Sequence, residues 1–301
     1  MLDKIIHFLK NTDGYISGEE ISEALNISRA GIWKHMQELR SQGYDIVAVP
    51  HLGYKLESSP DKPFSHEIKH NLHTKILGKK IFYFDTVFST MDEAFRLGME
   101  GAEEGTVICA ESQTKGRGRL GRSWSSPKGK GIYMSVILRP RLSPTEVSQL
   151  TLLAAVAAAE AIQKVSGLSA MIKWPNDLLI GGKKVVGILT ELSAETDRVK
   201  FVAIGIGINV NTPVNQLPPH ATSLKNEADK NFSRVELIRE ILRSLEEWYL
   251  RFQEEGPAVV MMRWKELSST LGKHIKISDP NQTIEGKAND IDDDAGLLIR
   301  S

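Results

Sequence analysis

The chain has 301 residues, of which 41% are hydrophobic and 25% charged, and these proportions exclude an intrinsically disordered protein. Its formal net charge of zero excludes a protein whose whole surface contacts nucleic acid. The single cysteine, Cys109, excludes a disulfide framework and a cysteine metal cluster within the chain. There is no signal-peptide pattern, and the longest apolar stretch is broken by Glu and Gln, so we expect a cytoplasmic protein without a membrane span.

The first residues predict a small helical unit. Ser17 and Glu20 form a capping box at the start of a short helix. Ser28 begins a second helix, which Gly43 ends. Two short helices joined by a tight turn make a helix-turn-helix, and the residues around Pro50 predict a two-stranded wing. We therefore predict a winged helix-turn-helix DNA-binding domain over residues 1–60.

The second helix of this domain carries the candidate DNA contacts. Ile32, Met36 and Leu39 share its apolar face, and polar side chains occupy the others. The candidates are Ser28, Arg29, Gly31, Lys34, His35 and Gln37. Residues 1–59 contain six Lys and Arg against eight Asp and Glu, whereas a DNA-binding domain is expected to show a basic patch. A helical bundle without a role on DNA therefore stays an alternative.

A linker with Pro60 and Pro63 follows this domain. Directly after it, residues 66–70 spell H-E-x-x-H, the zinc-protease signature. A catalytic zinc site needs a third protein ligand, yet His73 and Ile76 stand where the extended signature has Gly and His. We interpret the motif as a chance match.

A larger domain is predicted over residues 65–270. Strands are expected at "KKIFYFDTV", "TVICAES", "IYMSVIL", "AMIKW" and "KFVAIGIGINVN", and "DLLIGGKKVVGILTEL" has the Gly-Gly turn of a hairpin. Capped helices are expected from Thr90, Ser143 and Ser233. The sheet is therefore predicted to be largely antiparallel. Residues 271–301 predict short strands of a small third unit.

One basic stretch interrupts this pattern between Ser112 and Thr145. It has no Asp or Glu and eight basic side chains: Lys115, Arg117, Arg119, Arg122, Lys128, Lys130, Arg139 and Arg141. Its G-x-G-x-x-G, residues 116–121, lacks the flanking strand and helix of a dinucleotide fold. The H-R-D and D-F-G motifs of a kinase are also missing from the sequence.

The basic stretch instead predicts an anion-binding loop. Its glycines let the backbone approach a ligand, while Arg117, Arg119 and Arg122 offer forked donors to phosphate or carboxylate. We expect the loop to be mobile when empty and to close over its ligand. A solvated basic loop without a ligand is the alternative.

Four motifs in order identify a family. "GRGRLGRSW" (116–124), "KWPNDLLI" (173–180), "KKVVGILTE" (183–191) and "GIGINVN" (205–211) strongly resemble the biotin-protein ligases. With its helix-turn-helix, nearly the whole chain resembles the bifunctional biotin-protein ligase and biotin-operon repressor. The resemblance implies an α+β fold with a class II synthetase-like mixed, largely antiparallel central sheet with helices. It also implies a small SH3-like C-terminal β unit, which we expect to be shortened here.

The resemblance implies a two-step activity. Biotin and ATP, with Mg²⁺, give biotinyl-5′-adenylate, and a lysine of a biotin carboxyl-carrier protein then takes the biotinyl group. Adenylate that is not consumed promotes homodimerisation and binding to operator DNA. Two alternatives stay open: a biotin-sensing repressor without ligase turnover, and a ligase whose winged domain does not bind DNA. A lipoate ligase shares the expected fold, but the arginine-rich loop favours biotin.

The resemblance also implies site residues. Biotin contacts are expected from Ser89, Thr90, Met91, Gln113, Gly116, Arg117, Gly118, Arg119 and Lys184. ATP or adenylate contacts are expected from Arg119, Arg122, Trp124, Lys173, Asn176, Asp177 and Asn209. The catalytic candidates are Lys184, Arg119 and Arg117. Mg²⁺ is expected with ATP near Asp177, without a protein cage.

Several of these assignments have local alternatives. Of Ser89 and Thr90, we expect one to cap a helix and the other to face the pocket. Strand alternation sends Lys183 and Lys184 to opposite faces, and we favour Lys184 as the catalytic residue. Asn176 and Asp177 are also typical turn residues after a proline. Glycines 205 and 207 leave one strand face bare, as close approach of a ligand requires. The adenine-stacking residue stays unassigned.

Overall fold

Residues 1–278 and 283–300 are described by a computed structural model, in which the chain divides into two units, Met1–Asn71 and Leu72–Ser301. The first unit contains helices α1 (Leu2–Asn11), α2 (Gly18–Leu25), α3 (Arg29–Gln42) and α4 (Ser65–Lys69), and strands β1 (Asp45–Val49) and β2 (Gly53–Ser58). The predicted three-domain division stays a prediction.

Local capping signals place the helices of the first unit. The Ser17 hydroxyl accepts from Glu20 N, and the Glu20 carboxylate accepts from Ser17 N, which confirms the capping box. Gly43 ends α3 with a φ of +105°, in the left-handed region that favours glycine. Strands β1 and β2 pair antiparallel, so the helix-turn-helix and its wing are confirmed.

The core of the first unit is formed by the predicted apolar face of α3 together with the other helices and the wing. Its buried members are Ile5, Ile6, Leu9, Ile16, Ile21, Ile32, Met36, Leu39, Tyr44 and Ile46. The opposite side of α3 is left to solvent.

The H-E-x-x-H motif is part of a buried hydrogen-bond cluster. Tyr44 donates to Glu67 Oε1 at 2.6 Å, and its oxygen lies 2.6 Å from His66 Nε2. Lys10 Nζ donates to Glu67 Oε2 at 2.6 Å. His66 and Glu67 are both buried and held by other side chains. These contacts give His66 and Glu67 a structural role, which the interpretation of the motif as a chance match did not include.

The His66 cluster predicts a loss of stability in mild acid. Burial lowers the pKa of His66 from 6.5, an effect that Lys10 reinforces and the charges of Glu67, Asp3 and Glu38 oppose. As the pH falls through about 6.5, the unfolded chain takes up this proton before the folded chain does, so the free energy of unfolding falls.

Urea unfolding between pH 7.5 and 5.5 measures this decline, followed by fluorine NMR of Trp33 in the fluorotryptophan-labelled chain. Trp33 reports on this unit because it is the single tryptophan of residues 1–71. The other histidines titrate as well, so the slope is compared with that of His66→Asn, which should be flatter. Equal slopes in the two proteins would refute the role of His66.

The second unit is built on a seven-stranded mixed sheet. The strands are β3 (Ile81–Phe84), β4 (Val107–Ala110), β5 (Gly131–Leu138), β6 (Met171–Lys173), β7 (Asp177–Ile180), β8 (Lys183–Glu195) and β9 (Arg198–Asn209). Their order is β3-β4-β5-β9-β8-β7-β6, and only β3 and β4 are parallel neighbours. The predicted α+β class and largely antiparallel sheet are confirmed.

Helices cover this sheet: α5 (Thr90–Met99), α6 (Ser148–Ser166), α7 (Leu224–Ala228), α8 (Arg234–Glu255) and α9 (Ala258–Leu267). Helix α5 packs on β5 and β9, and α6 packs on β8, α8 and α9. By length and composition Pro144–Ser166 is apolar enough to cross a membrane, but 72% of its apolar window is buried within the fold. That burial is what a core helix of a folded domain shows.

Two predicted helix starts need correction. The N-cap of α5 is Ser89, whose hydroxyl accepts from Met91 N, so Thr90 is the first helical residue and does not cap the helix. The capping box of Ser143 and Glu146 starts a 3₁₀ turn, Pro144–Val147, which precedes α6. The cap of α8 by Ser233 is confirmed.

A small antiparallel sheet forms the C-terminal part of the second unit. It contains β10 (His274–Ser278), β11 (Thr283–Ile291) and β12 (Leu297–Arg300). The three predicted strands are confirmed, although Ser301 lies outside the described residues. The indole Nε1 of Trp174 donates to Ala295 O at 3.0 Å, which links the turn before β12 to the residue directly after β6.

Two buried groups lie at and beyond the end of β4. Cys109 is buried within the strand. Glu111 follows it and pairs with Arg234, the first residue of α8, at 3.1 and 3.2 Å. Their side chains are only 3% and 4% exposed, so the pair joins α8 to the sheet inside the core.

Candidate functional site

A cavity of about 460 Å³ opens in the second unit, a size within the usual range for small-molecule sites. The predicted residues that it brings together are Ser89, Thr90, Met91, Gln113, Arg117, Gly118, Arg119, Arg122, Trp124, Lys173, Asn176, Asp177 and Lys184. These residues are far apart in sequence. The fold thus brings residues of all four sequence motifs and of the start of α5 together around one cavity.

Two predicted contacts are not among the lining residues. The Asn209 amide is buried and donates to Thr222 O at 3.0 Å. The backbone of Gly116 accepts from Trp124 N at 2.8 Å, and a Cβ there would lie 2.5 Å from Trp124 O. Gly116 therefore closes the base of the loop. Direct ligand contacts of Gly116 and Asn209 stay predictions.

The start of α5 supplies a hydrogen-bonded chain of polar side chains. Ser135 donates to Thr90 Oγ1 at 2.9 Å, and Thr90 donates to Gln113 Oε1 at 3.1 Å. The Gln113 amide in turn donates to Ser126 Oγ at 2.9 Å. Ser89 caps the helix, and Thr90 does not. This is the division of roles expected for the two residues, and the chain fixes the orientation of polar groups that line the cavity.

The arginine-rich loop forms a small hairpin, here called the loop hairpin (residues 116–124). Arg117 and Ser123 form a β-bridge, and Gly118 N donates to Arg122 O at 2.7 Å. Leu120, with a φ of +55° and an exposed fraction of 80%, lies at its tip. The loop hairpin is therefore internally hydrogen-bonded, and its expected mobility stays a prediction.

The three arginines of the loop hairpin differ in their partners. Arg117 Nη2 lies 2.9 Å from both Asp92 Oδ1 and Glu191 Oε2. In the described part of the chain, Arg119 and Arg122 have no acidic partner. The charge of Arg117 is therefore balanced by the protein itself, and its expected contact with a ligand anion stays a prediction. Among the described residues that line the cavity, Arg119 and Arg122 are the guanidinium groups without an acidic partner.

Trp124 and Met91 pack against the positions where β9 carries glycines. A Cβ on Gly207 would lie 2.6 Å from the Trp124 ring, and one on Gly205 would lie 2.7 Å from the Met91 sulfur. Gly205 and Gly207 line the cavity, and these two side chains pack against the bare strand face. Close approach of a ligand to this face stays a prediction. Further lining residues that the sequence did not single out include Tyr133, Met134, Trp174, Pro175 and Leu189. Strand alternation on β5 could have indicated some of them.

The β7–β8 hairpin places a lysine beside Trp124. Lys184 Nζ lies 2.5 Å from Asp177 Oδ1 and 5.4 Å from the Trp124 ring centre. Lys183 points away from the cavity, with a side chain 60% exposed and 3.9 Å from Glu227. The alternation argument for Lys184 therefore agrees with the positions of the two side chains.

Asp177 and Asn176 are the cavity residues to consider as ligands of the expected Mg²⁺. Asp177 is the one carboxylate among the residues described as lining the cavity, and its Oδ1 is engaged by Lys184. Asn176 Nδ2 donates to Ile188 O at 2.6 Å, so that side chain holds the backbone of β8. These residues do not fit a protein-held Mg²⁺ site.

Helix α3 carries the second candidate site, the DNA interface. Ser28 caps the helix, Arg29 pairs with Glu19 at 2.5 Å, and His35 lies 3.2 Å from Glu38. Lys34 has no acidic partner among the residues that the structure describes. Trp33, which is not among the predicted DNA contacts, is 58% exposed on the same helix. The outward charge of α3 is thus carried chiefly by Lys34.

Comparison with known proteins identifies each part of the chain. Residues 83–209 match the biotin/lipoate A/B protein ligase family, residues 2–55 match an HTH domain, and residues 270–301 match the biotin protein ligase C terminal domain. The chain is 42% identical to the "Bifunctional ligase/repressor BirA" of Bacillus subtilis over 303 residues, covering 99% of this chain and 93% of the relative.

Solved structures agree with this relationship. The biotin protein ligase of Aquifex aeolicus in complex with biotin and ATP has a TM-score of 0.64 and 32% identity, covering 73% of this chain and 91% of that one. The ligase of Leishmania major in complex with biotinyl-5-AMP has a TM-score of 0.55 and 25% identity, covering 74% and 95%. The chain belongs to the family of bifunctional biotin-protein ligases and repressors.

Proposed function

We propose that this cytoplasmic protein joins biotin to ATP to form biotinyl-5′-adenylate and then transfers the biotinyl group to a lysine of a biotin carboxyl-carrier protein. The observation that carries the proposal is the cavity itself. It combines a fixed chain of neutral polar groups, apolar side chains and the cations Lys184, Arg119 and Arg122. Biotin has a neutral polar ring system and a carboxylate, and ATP supplies the phosphates.

The neutral groups suit the ring of biotin. Thr90 and Gln113 are held by hydrogen bonds, so their remaining donors and acceptors have fixed directions for the ureido group. Met91, Met134 and Leu189 offer apolar contact to the rest of the molecule. Preorganised polar groups next to apolar walls favour one orientation of the substrate.

The cations suit the two chemical steps. In the first, a biotin carboxylate oxygen attacks the α-phosphorus of ATP, and the bond to the β-phosphate oxygen breaks to release pyrophosphate. In the second, a lysine amine attacks the acyl carbon, loses a proton, and AMP leaves with the bonding electrons. Lys184, Arg119 and Arg122 screen the anions that must approach and stabilise charge on the acyl and phosphate oxygens. Mg²⁺ is expected to arrive with the ATP phosphates, its preferred ligands.

Transfer to a carrier domain tests the ligase proposal. The protein is incubated with biotin, MgATP and a biotin carrier domain, and the intact mass of the carrier is recorded. We expect a gain of one biotinyl group that requires both biotin and ATP. If the carrier gains no mass and no adenylate forms, the ligase proposal fails and the biotin-sensing repressor is favoured.

We also propose that the first unit binds operator DNA and that the adenylate-bound protein acts as a homodimer. The matching HTH domain and the exposed side of α3 support this role. Differential affinity of the adenylate for the dimerising state would couple biotin supply to repression. A ligase whose winged domain does not bind DNA remains the competing proposal.

A mutation pair on α3 tests DNA binding. Lys34→Ala should weaken binding to all duplexes alike and lower the salt slope by about one, because a lysine neutralises one phosphate. Gln37→Ala should instead relax base preference by about 1–3 kcal/mol at one position. Duplexes are selected from a random pool with the adenylate-bound protein, and binding is titrated against salt. Failure to enrich any sequence would favour the ligase without a DNA role.

A further inference from the structure

Arg117 joins the loop hairpin to two other elements of the second unit. Its guanidinium lies between Asp92, on α5, and Glu191, on β8, with both oxygens at 2.9 Å from Nη2. Asp92 follows Thr90 by two residues, so it belongs to the helix start that lines the cavity. The base of the loop hairpin is thus attached to the wall that holds the neutral polar groups.

The charge balance around Arg117 separates it from the other arginines. Two carboxylates already satisfy this guanidinium, whereas Arg119 and Arg122 have no such partner in the described residues. A guanidinium that already pairs with two carboxylates of the protein gains less free energy from binding a ligand anion than an unpaired guanidinium does. The arrangement therefore favours an anchoring role for Arg117.

We propose that Asp92 and Glu191 are positioning residues that hold Arg117 and thereby keep the loop hairpin over the cavity. This inference rests on the proposed ligase function, because the retained ligand would be the biotinyl-adenylate. All three side chains are partly exposed, at 29–50%, so each ion pair is individually weak. The two pairs share one guanidinium, so the proposal places the attachment in both carboxylates together.

The double variant Asp92→Asn/Glu191→Gln tests the attachment. Preformed biotinyl-adenylate should dissociate about fivefold faster, and KM for ATP should rise with kcat changed less than twofold. In the ligand-free protein, trypsin should cleave faster after Arg119 and Arg122. This cleavage does not depend on ligase activity, so it tests the attachment even if the ligase proposal fails.

A comparison with Arg117→Gln decides between anchoring and direct contact. If Arg117 acts through the two carboxylates, Arg117→Gln, the double variant and the triple variant should share one dissociation rate. Arg117→Lys should restore most of the retention. An unchanged or slower dissociation in the double variant, with faster dissociation in Arg117→Gln, would overturn the proposal.

Helix α5 offers a matched control. Arg96 on this helix pairs with Glu93 on the same helix and with Glu100, its C-cap residue. Neither glutamate is among the residues described as lining the cavity. Glu93→Gln/Glu100→Gln removes two carboxylates from a guanidinium in the same way. It should leave adenylate dissociation and trypsin cleavage of the loop hairpin unchanged, and a change equal to that of Asp92→Asn/Glu191→Gln would also overturn the proposal.

Discussion

Lys184→Ala is expected to slow adenylate formation by about 10²-fold or more, the usual effect of removing a fixed charge-stabilising donor. The ammonium group lies at the cavity wall, held by Asp177 at 2.5 Å and placed over the Trp124 ring. It can therefore meet the carboxylate and the α-phosphate without reorganising. Biotin-dependent exchange of pyrophosphate into ATP measures this first step directly.

The adjacent Lys183 provides the control. Lys183→Ala removes the same charge one residue away, from a side chain that points to Glu227 and solvent. The rate of pyrophosphate exchange in Lys183→Ala should stay within about twofold of that of the unchanged protein, since long-range charge effects at the surface are screened. Near-normal exchange in Lys184→Ala, or equal losses in both variants, would remove Lys184 from the mechanism.

Glu111→Ala is expected to lower the free energy of unfolding of the second unit by about 3–5 kcal/mol. The substitution leaves the Arg234 guanidinium buried, 4% exposed, without the carboxylate that now accepts two of its hydrogen bonds. The charge cannot be relieved by deprotonation, because arginine stays protonated in proteins. Denaturant unfolding followed by circular dichroism measures the change.

An exposed pair from the same region gives the comparison. Asp85 lies 2.6 Å from Lys128, with both side chains about 60% exposed. Asp85→Ala should lower the free energy of unfolding by less than about 1 kcal/mol, because water replaces the lost partner of Lys128. If Asp85→Ala and Glu111→Ala lowered the free energy of unfolding by similar amounts, burial would not determine how much the Glu111–Arg234 pair contributes to stability.

Local signals made most of the secondary structure predictable from the sequence. The capping box at Ser17, the glycine after α3 and the Gly-Gly turn before Lys183 each act within a few residues. Where two capping residues stand side by side, as Ser89 and Thr90 do, the hydrogen bond to the helix decides between them. That choice depends on Gln113, a residue of another segment, which accepts a hydrogen bond from the Thr90 hydroxyl.

The cavity was predictable as a set of residues but not as a set of contacts. Arg117 and Glu191 are 74 residues apart, and no local pattern links them. The bare strand face at Gly207 was predicted from the sequence, yet only the packed fold shows that the Trp124 ring lies against it. Charge counts along the loop likewise could not show which arginine the protein neutralises. Contacts between distant segments depend on packing, which sequence periodicity does not encode.

The buried position of Cys109 makes the chain suited to spectroscopic labelling without prior removal of a native thiol. Burial raises the pKa of Cys109 to about 12, so the reactive thiolate is nearly absent at neutral pH. Leu120→Cys would then place one reactive thiol at the exposed tip of the loop hairpin. A fluorophore attached there would report opening and closing of the loop hairpin in real time.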